Sequence, residues 1–298
     1  MSLCSLWMSR GSSDVVRSVV VIAAAILAAG AARAVERTEV VEREIALAAG
    51  VREVVIDNVF GPVEVKTGAA GKVTLELRQH ASARREDDLA DAFREVTLSV
   101  ETEDDRLTLL QDGPFRCENR CCARSGCDWD PDYEVTWEWE VKVPPDVDLE
   151  VSTVNGGSLS IDGARGNVRA ANVNGALRLT ALGGGEVSAT TVNGGVVAQF
   201  DRAPATDSTF VTVNGKVELE LPRDTRAEVS VDTLHGDLYT DFEAEAIPVK
   251  AVAERESGSG HRYRFDQDLV VRIGGGAAAK AVRLDCRTVN GDVVVRAR

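Results

Sequence analysis

Thr191-Val192-Asn193-Gly194 is one of four copies of a tetrapeptide that decides how this chain is read. The others are Thr153-Val154-Asn155-Gly156, Thr212-Val213-Asn214-Gly215 and Thr288-Val289-Asn290-Gly291, with near-copies at Asn172-Val173-Asn174-Gly175 and Thr233-Leu234-His235-Gly236. From Asn155 the marks recur at 174, 193, 214 and 235, in steps of 19, 19, 21 and 21 residues. A period near 20 residues is the signature of a unit that cannot bury its apolar face alone and does so by stacking on its neighbours.

Each unit reads as two short strands around the Asn-Gly corner. Leu177, Val196, Val217, Leu238 and Val293 follow the marked position by three residues, and Leu179, Leu219 and Val295 come two later. Before the corner stand Val151, Ala170, Ala189, Phe210, Val231 and Cys286, and two positions further back come Leu149, Val168, Val187, Val229 and Leu284. Period-two alternation of this kind is that of half-buried strands. The first unit carries one residue more, Gly157, which predicts a bulge at that corner.

Two architectures use such a pattern. In a β-solenoid, a single-stranded β-helix with coils of about 20 residues, the Asn-Gly pairs 155–156, 174–175, 193–194, 214–215 and 290–291, and His235-Gly236, are structural corners that stack from coil to coil. In an antiparallel β-sandwich they are two-residue hairpin turns. The residue before each Asn is Val or, once, Leu. A hairpin would turn it off the apolar face, whereas a coil corner points it inward, and this together with the period favours the solenoid.

Outward from the repeats, residues 54–65 read as a degenerate first unit with Phe60 in place of Asn, and 72–78 as a further strand. Leu89, Ala92, Phe93 and Val96 are spaced three and four apart among charges, so residues 84–96 predict one short amphipathic helix covering an end or edge of the β core. At the N-terminus Arg10 and Arg17 precede an apolar run from Val19 to Ala29, and Ala32-Arg33-Ala34 follows as a cleavage pattern. Residues 1–34 are therefore expected to be a cleaved signal peptide, leaving no membrane span and directing the rest to the periplasm, the cell surface or the medium. The expected organisation after it is an N-terminal β-rich part, 35–146, with a Cys-rich loop at 113–133. A repeat array, 147–298, follows, with an acidic and then Ser-Gly-rich insertion at 243–262.

Composition narrows the function. The 298 residues carry 48 acidic against 34 basic side chains, a formal charge of −14 that becomes −16 once residues 1–34 are removed. A chain of that sign is no binder of nucleic acid. With 7 Phe, 4 Trp and 3 Tyr, the core is one of small β-branched contacts.

The Val-Asn-Gly repeats, Val217-Glu218-Leu219-Glu220-Leu221-Pro222, Asn58-Val59-Phe60-Gly61, Val141-Lys142-Val143-Pro144 and the closing Val289-Asn290-Gly291-Asp292-Val293 together resemble a bacterial adhesin-like family of unknown function, the DUF4097 type. The resemblance covers roughly residues 40–298. It implies an exported β-solenoid of the cell envelope with an adhesive, scaffolding or regulatory role toward an unidentified protein or glycan. The motif specifies architecture far better than activity. The simplest members lack the cysteine-rich insertion of this chain.

That insertion holds Cys117, Cys121, Cys122 and Cys127 ahead of Trp129 and Tyr133. Export favours disulfides among the four, in any of three connectivities, over a zinc or iron–sulfur ligand set, whose spacings they match poorly, or a reactive thiol. Trp129 and Tyr133 on such a braced loop are the candidate contact residues. Cys286, at an apolar strand position, is expected to be buried and inert. No catalytic residue, metal site or cofactor is expected: Glu218 with Glu220, and Glu138 with Glu140, alternate with apolar residues as solvated strand faces do, and His235, near Asp237 and Asp241, is a corner residue. A polysaccharide-active enzyme would require an acidic pair set in a groove.

Overall fold

A computed structural model describes residues 19–23, 34–116, 131–247, 252–255, 261–264, 269–275 and 281–298. The first part of the chain forms β1 (Val19–Ala23), β2 (Val35–Ala46), β3 (Glu53–Asp57), β4 (Val63–Thr67), β5 (Lys72–Ala83), α1 (Glu86–Glu95), β6 (Thr97–Glu103), β7 (Arg106–Asp112) and β8 (Tyr133–Val143). The repeats form β9 (Asp148–Thr153), β10 (Leu159–Asp162), β11 (Val168–Asn172), β12 (Leu177–Leu182), β13 (Val187–Thr190), β14 (Val196–Phe200), β15 (Ser208–Val211), β16 (Val217–Leu221), β17 (Ala227–His235) and β18 (Leu238–Thr240). The remainder forms β19 (Ala244–Ile247), β20 (Val252–Arg255), β21 (His261–Arg264), β22 (Leu269–Ile273), β23 (Val282–Asn290) and β24 (Val293–Ala297).

The molecule is all-β apart from α1, and its strands fall into two large mixed sheets plus the β20–β21 pair. One sheet runs β1-β2-β5-β8-β4-β10-β12-β14-β16-β24-β18 and the other β19-β22-β17-β23-β15-β13-β11-β9-β3-β7-β6, so among the described residues neither closes into a barrel. Two facing sheets are the layout of the sandwich alternative, but its hairpins are absent. β9 and β10 flank Asn155-Gly156 yet lie in different sheets. The chain passes from one sheet to the other at each corner, and every repeat strand pairs in parallel with its equivalent one unit away, as Leu177 does with Val196 and Val168 with Val187. Among the described residues, the antiparallel pairs of the two large sheets are confined to their ends, and the separate β20–β21 pair is antiparallel too.

The expected alternation is realised as rows of like residues. Leu159, Leu177, Val196, Val217 and Val293 form one buried row and Val151, Ala170, Ala189, Phe210, Cys286 and Val231 another. Small Ala189 and Ala198 leave room for Phe200 and Phe210, which meet edge-on with ring centroids 6.4 Å apart. Cys286 lies in this row fully buried, and burial pushes its thiol pKa far up, as expected for an inert side chain.

The order of stacking departs from the order of the sequence. β23 lies between β15 and β17, and β24 between β16 and β18, so the last unit of the chain slides between two consecutive ones. The expected insertion, 243–262, supplies β19, which pairs antiparallel with β22, and β20, and reaches into β21, the partner of β20.

α1 occupies 86–95, inside the expected 84–96. It packs on β2, β5 and β8, the stretch of sheet that extends past the repeats, and buries Leu89 and Ala92. Glu86, Asp87 and Asp88 in its first turn face the positive end of the helix dipole. Among the described residues no helix is long and apolar enough to cross a membrane. β1 falls inside the expected signal and pairs antiparallel with β2.

Candidate functional site: the asparagine edge

The corners superpose along one edge. Their side chains join in a ladder in which Asn174 donates to Asn155 (2.8 Å), Asn193 to Asn174 (2.9 Å), Asn214 to Asn193 (2.9 Å) and Asn290 to Asn214 (2.8 Å), each from Nδ2 to Oδ1. Phe60 lies beside Asn155 at one end and His235 beside Asn290 at the other. An imidazole has no amide with which to continue the ladder, which accounts for the place of the final unit. Asn290 can extend the row of amides from Asn214, and His235 closes it.

Threonine and glycine lock together behind the ladder. Thr191, Thr212 and Thr288 are buried, and each Oγ1 donates to the carbonyl of the corner glycine one unit back: Gly175 (2.9 Å), Gly194 (2.7 Å) and Gly215 (3.0 Å). A Cβ on Gly194, Gly215 or Gly291 would run into that same carbonyl. These glycines are required by close approach between coils. The turn with positive φ that a hairpin would need is absent at all three.

The residue before each Asn corrects an expectation. It is not in the core: Val173, Val192 and Val289 are 38%, 37% and 39% exposed, Leu234 before His235 is 69% exposed, and Val154 and Val213 are half-buried. Before Val192 and Val289 a threonine takes the inward position, because its hydroxyl has a carbonyl to bond there, before Val173 Asn172 does so through its amide, and the following side chain is left outside. The outcome is a stripe of apolar side chains beside a stripe of amides, both running the length of the repeats.

At the Phe60 end the edge meets the base of the cysteine-rich segment. Gln111 is fully buried, and its Oε1 accepts from the backbone N–H groups of Val59 (2.8 Å) and Phe60 (3.0 Å), satisfying donors that a further Asn-Gly corner would have met. Phe115 packs edge-on against Phe60 at 5.1 Å. Arg116 bonds the Asp57 carboxylate (2.6 Å) and the Gln111 carbonyl (2.6 Å). β7 and β8, on either side of the cysteine-rich segment, pair in parallel with β3 and β4. Cys117, Cys121, Cys122, Cys127 and Trp129 lie outside the described residues. Tyr133 starts β8; it is 7% exposed and its hydroxyl donates to Glu95 at 2.7 Å. It ties β8 to the end of α1, and the sequence offers it as a contact residue.

Away from this edge, the outer face of the first large sheet holds a groove of roughly 340 Å³ lined by Glu64, Glu76, Arg78, Glu138, Glu140 and Ser160 among others. Glu64, Glu140, Glu76 and Glu42 stand directly abreast on four adjacent strands. Like charges in that arrangement repel, and cations interleave them: Lys66 reaches Glu64 (3.0 Å) and Glu140 (3.7 Å), Lys142 reaches Glu140 (3.3 Å), and Arg78 reaches Glu76 (2.8 Å). The hydrogen bond from Lys142, with Lys66 beside it, holds Glu140 below the usual carboxylate range. A glycosidase acid needs the opposite shift. Glu218 is lowered likewise, by Lys216 first and Arg296 after it. His235, Asp237 and Asp241 are exposed. Among the described residues no cluster of His, Cys, Asp or Glu could hold a metal ion.

Compared with known proteins, the chain matches no family model and no curated protein. It is similar in outline to three solved structures: a proposed cell adhesion protein from Clostridium sporogenes (9% identity, 89% of this chain and 100% of that one, TM-score 0.44), a proposed adhesin from Bacteroides fragilis (10%, 87% and 97%, TM-score 0.38) and a proposed lipid binding protein from Parabacteroides distasonis (12%, 87% and 97%, TM-score 0.27). Likeness of this depth says nothing of what the chain binds, and membership of the DUF4097 type stays a resemblance.

Proposed function

We propose that the chain is an exported, non-enzymatic adhesin-like or scaffolding protein of the bacterial cell envelope, and that its asparagine edge is the face it offers to a partner. In this reading residues 1–34 are removed on export, 35–146 form the N-terminal part, and 147–298 wind as a β-solenoid. Alternation of successive strands between two sheets, with parallel pairing one unit apart, supports the winding. The carboxylates of the groove, interleaved with cations, support a role without catalysis.

The observation that carries the proposal is the valine stripe. Core packing does not call for apolar side chains at these positions, yet Val173, Val192 and Val289 stand in line beside the amide ladder. An apolar line flanked by hydrogen-bonding groups at a constant strand spacing suits an extended protein or glycan lying along the coils. In the same reading Cys117, Cys121, Cys122 and Cys127 form disulfides, and Trp129 is a further contact residue.

The test is a glycan array and an envelope-protein pull-down with the mature chain, beside the double variant Val173→Asp, Val192→Asp. Both positions are exposed, so each substitution should shift stability by no more than about 0.5 kcal/mol. Loss of a bound glycan or protein in the folded variant supports the edge as the binding face. Unchanged binding would move the site elsewhere.

A further inference from the structure

The chain contains five Asn-Gly pairs, the sequence in which a side-chain amide is most open to attack by the next backbone nitrogen. We infer that Asn155-Gly156 is a site of spontaneous amide-to-acid modification, and that the ladder protects the other pairs from the same reaction. The extra residue of the first unit sets it apart. Gly157, not Gly156, takes the corner glycine's place in the stack: Asn172 Nδ2 donates to the Gly157 carbonyl at 3.0 Å, and a Cβ on Gly175 would strike that same carbonyl. Gly156 is thereby extruded. It is exposed, at φ +87°, with no atom nearer than 3.7 Å to where its Cβ would be.

The nucleophile is held less firmly here than in the last three pairs, and the electrophile less firmly than at Asn174, Asn193 and Asn214. In the last three pairs the glycine N–H is engaged, Gly194 to Asn214 O, Gly215 to Asn290 O and Gly291 to His235 O, each at 3.0 Å. The Gly156 N–H has no partner among the described residues. The amides of Asn174, Asn193 and Asn214 are bonded at both Nδ2 and Oδ1, whereas Asn155 is bonded only at Oδ1, because Phe60 stands where the next amide would be. Asn290 is held at Nδ2 and its Gly291 N–H is occupied.

The reaction needs only water. The Gly156 nitrogen, losing its proton, bonds to Asn155 Cγ; the Cγ–Nδ2 bond breaks and ammonia leaves, giving a cyclic imide. Water then opens the imide at either carbonyl, to aspartate or to isoaspartate. The carboxylate of the aspartate product still accepts from Asn174, so the ladder persists with one negative charge added at its Phe60 end.

The full chain is incubated folded at mildly alkaline pH, and its peptides are mapped by mass spectrometry with an isoaspartate-specific methyl-acceptor assay. Conversion at Asn155 is expected to outpace that at Asn193, Asn214 and Asn290 by roughly tenfold or more, as loss of one held hydrogen bond in the approach to the transition state implies. In guanidinium the five pairs should converge to similar rates. In Gly156→Ala the signal should fall in this peptide alone. Equal rates across the pairs in the folded chain, or an inert Asn155, would overturn the inference.

Discussion

Each residue of Thr-Val-Asn-Gly has a separate physical role: the threonine hydroxyl satisfies a buried glycine carbonyl, the glycine lets that carbonyl approach, the asparagine continues the amide row, and the valine is left for solvent. The first two roles meet at one oxygen. Gly194→Ala forces a methyl against the Gly175 carbonyl and should destabilise the chain by about 1–3 kcal/mol. Thr212→Val leaves the Gly194 carbonyl without its donor and should cost a similar amount, about 1–3 kcal/mol, at nearly unchanged volume. Denaturant midpoints compared with the exposed control Val192→Thr, expected to shift little, check both. The asparagines and glycines were legible as corners from their spacing. The outward valine was not, since sequence pattern does not tell which of two neighbouring residues has a hydrogen-bond partner waiting inside.

Among the elements, α1 was legible from its apolar spacing to within two residues at its start. Its dependence on pH is not a matter of pattern. Arg85 bonds Asp88 at 2.9 and 2.7 Å, and this hydrogen-bonded contact lowers the Asp88 carboxyl below its ordinary value. A carboxyl lowered in the folded state contributes stability above the unfolded carboxylate range, near pH 4, and loses it as the pH falls through the folded value. Asp88→Asn should therefore be less stable than the parent at pH 7, with the difference vanishing toward pH 2–3, in urea titrations at the two pH values. A difference that persisted in acid would assign the effect to packing. The acidic groove was the less legible element: Glu64, Glu76 and Glu140 are far apart in sequence and become neighbours only through β4, β8 and β5.

At the scale of the whole molecule, stacking of a unit of about 20 residues was legible in the sequence, because a parallel stack writes its period directly into apolar spacing. The position of the last unit was hidden. Identical motifs give no preference for one neighbour over another, and the step of 21 residues from Asn214 to His235 points to an adjacency that the stack does not keep. The one sign in the sequence was the histidine at 235, which cannot extend a row of amides. What the edge, the ladder and its modification have in common is the stacking order. It is tested most directly by paired cysteines on the outer face, in a chain whose Cys4, Cys117, Cys121, Cys122 and Cys127 are serine. Glu218 stands abreast of Val294, and Val294 abreast of Tyr239. Neighbouring strands lie about 4.8 Å apart, within disulfide range, and strands two apart at about 9.6 Å are beyond it. Under mild oxidation Glu218→Cys with Val294→Cys should crosslink in the folded chain, and Glu218→Cys with Tyr239→Cys should not; a disulfide in the second pair and none in the first would contradict the insertion of the final unit.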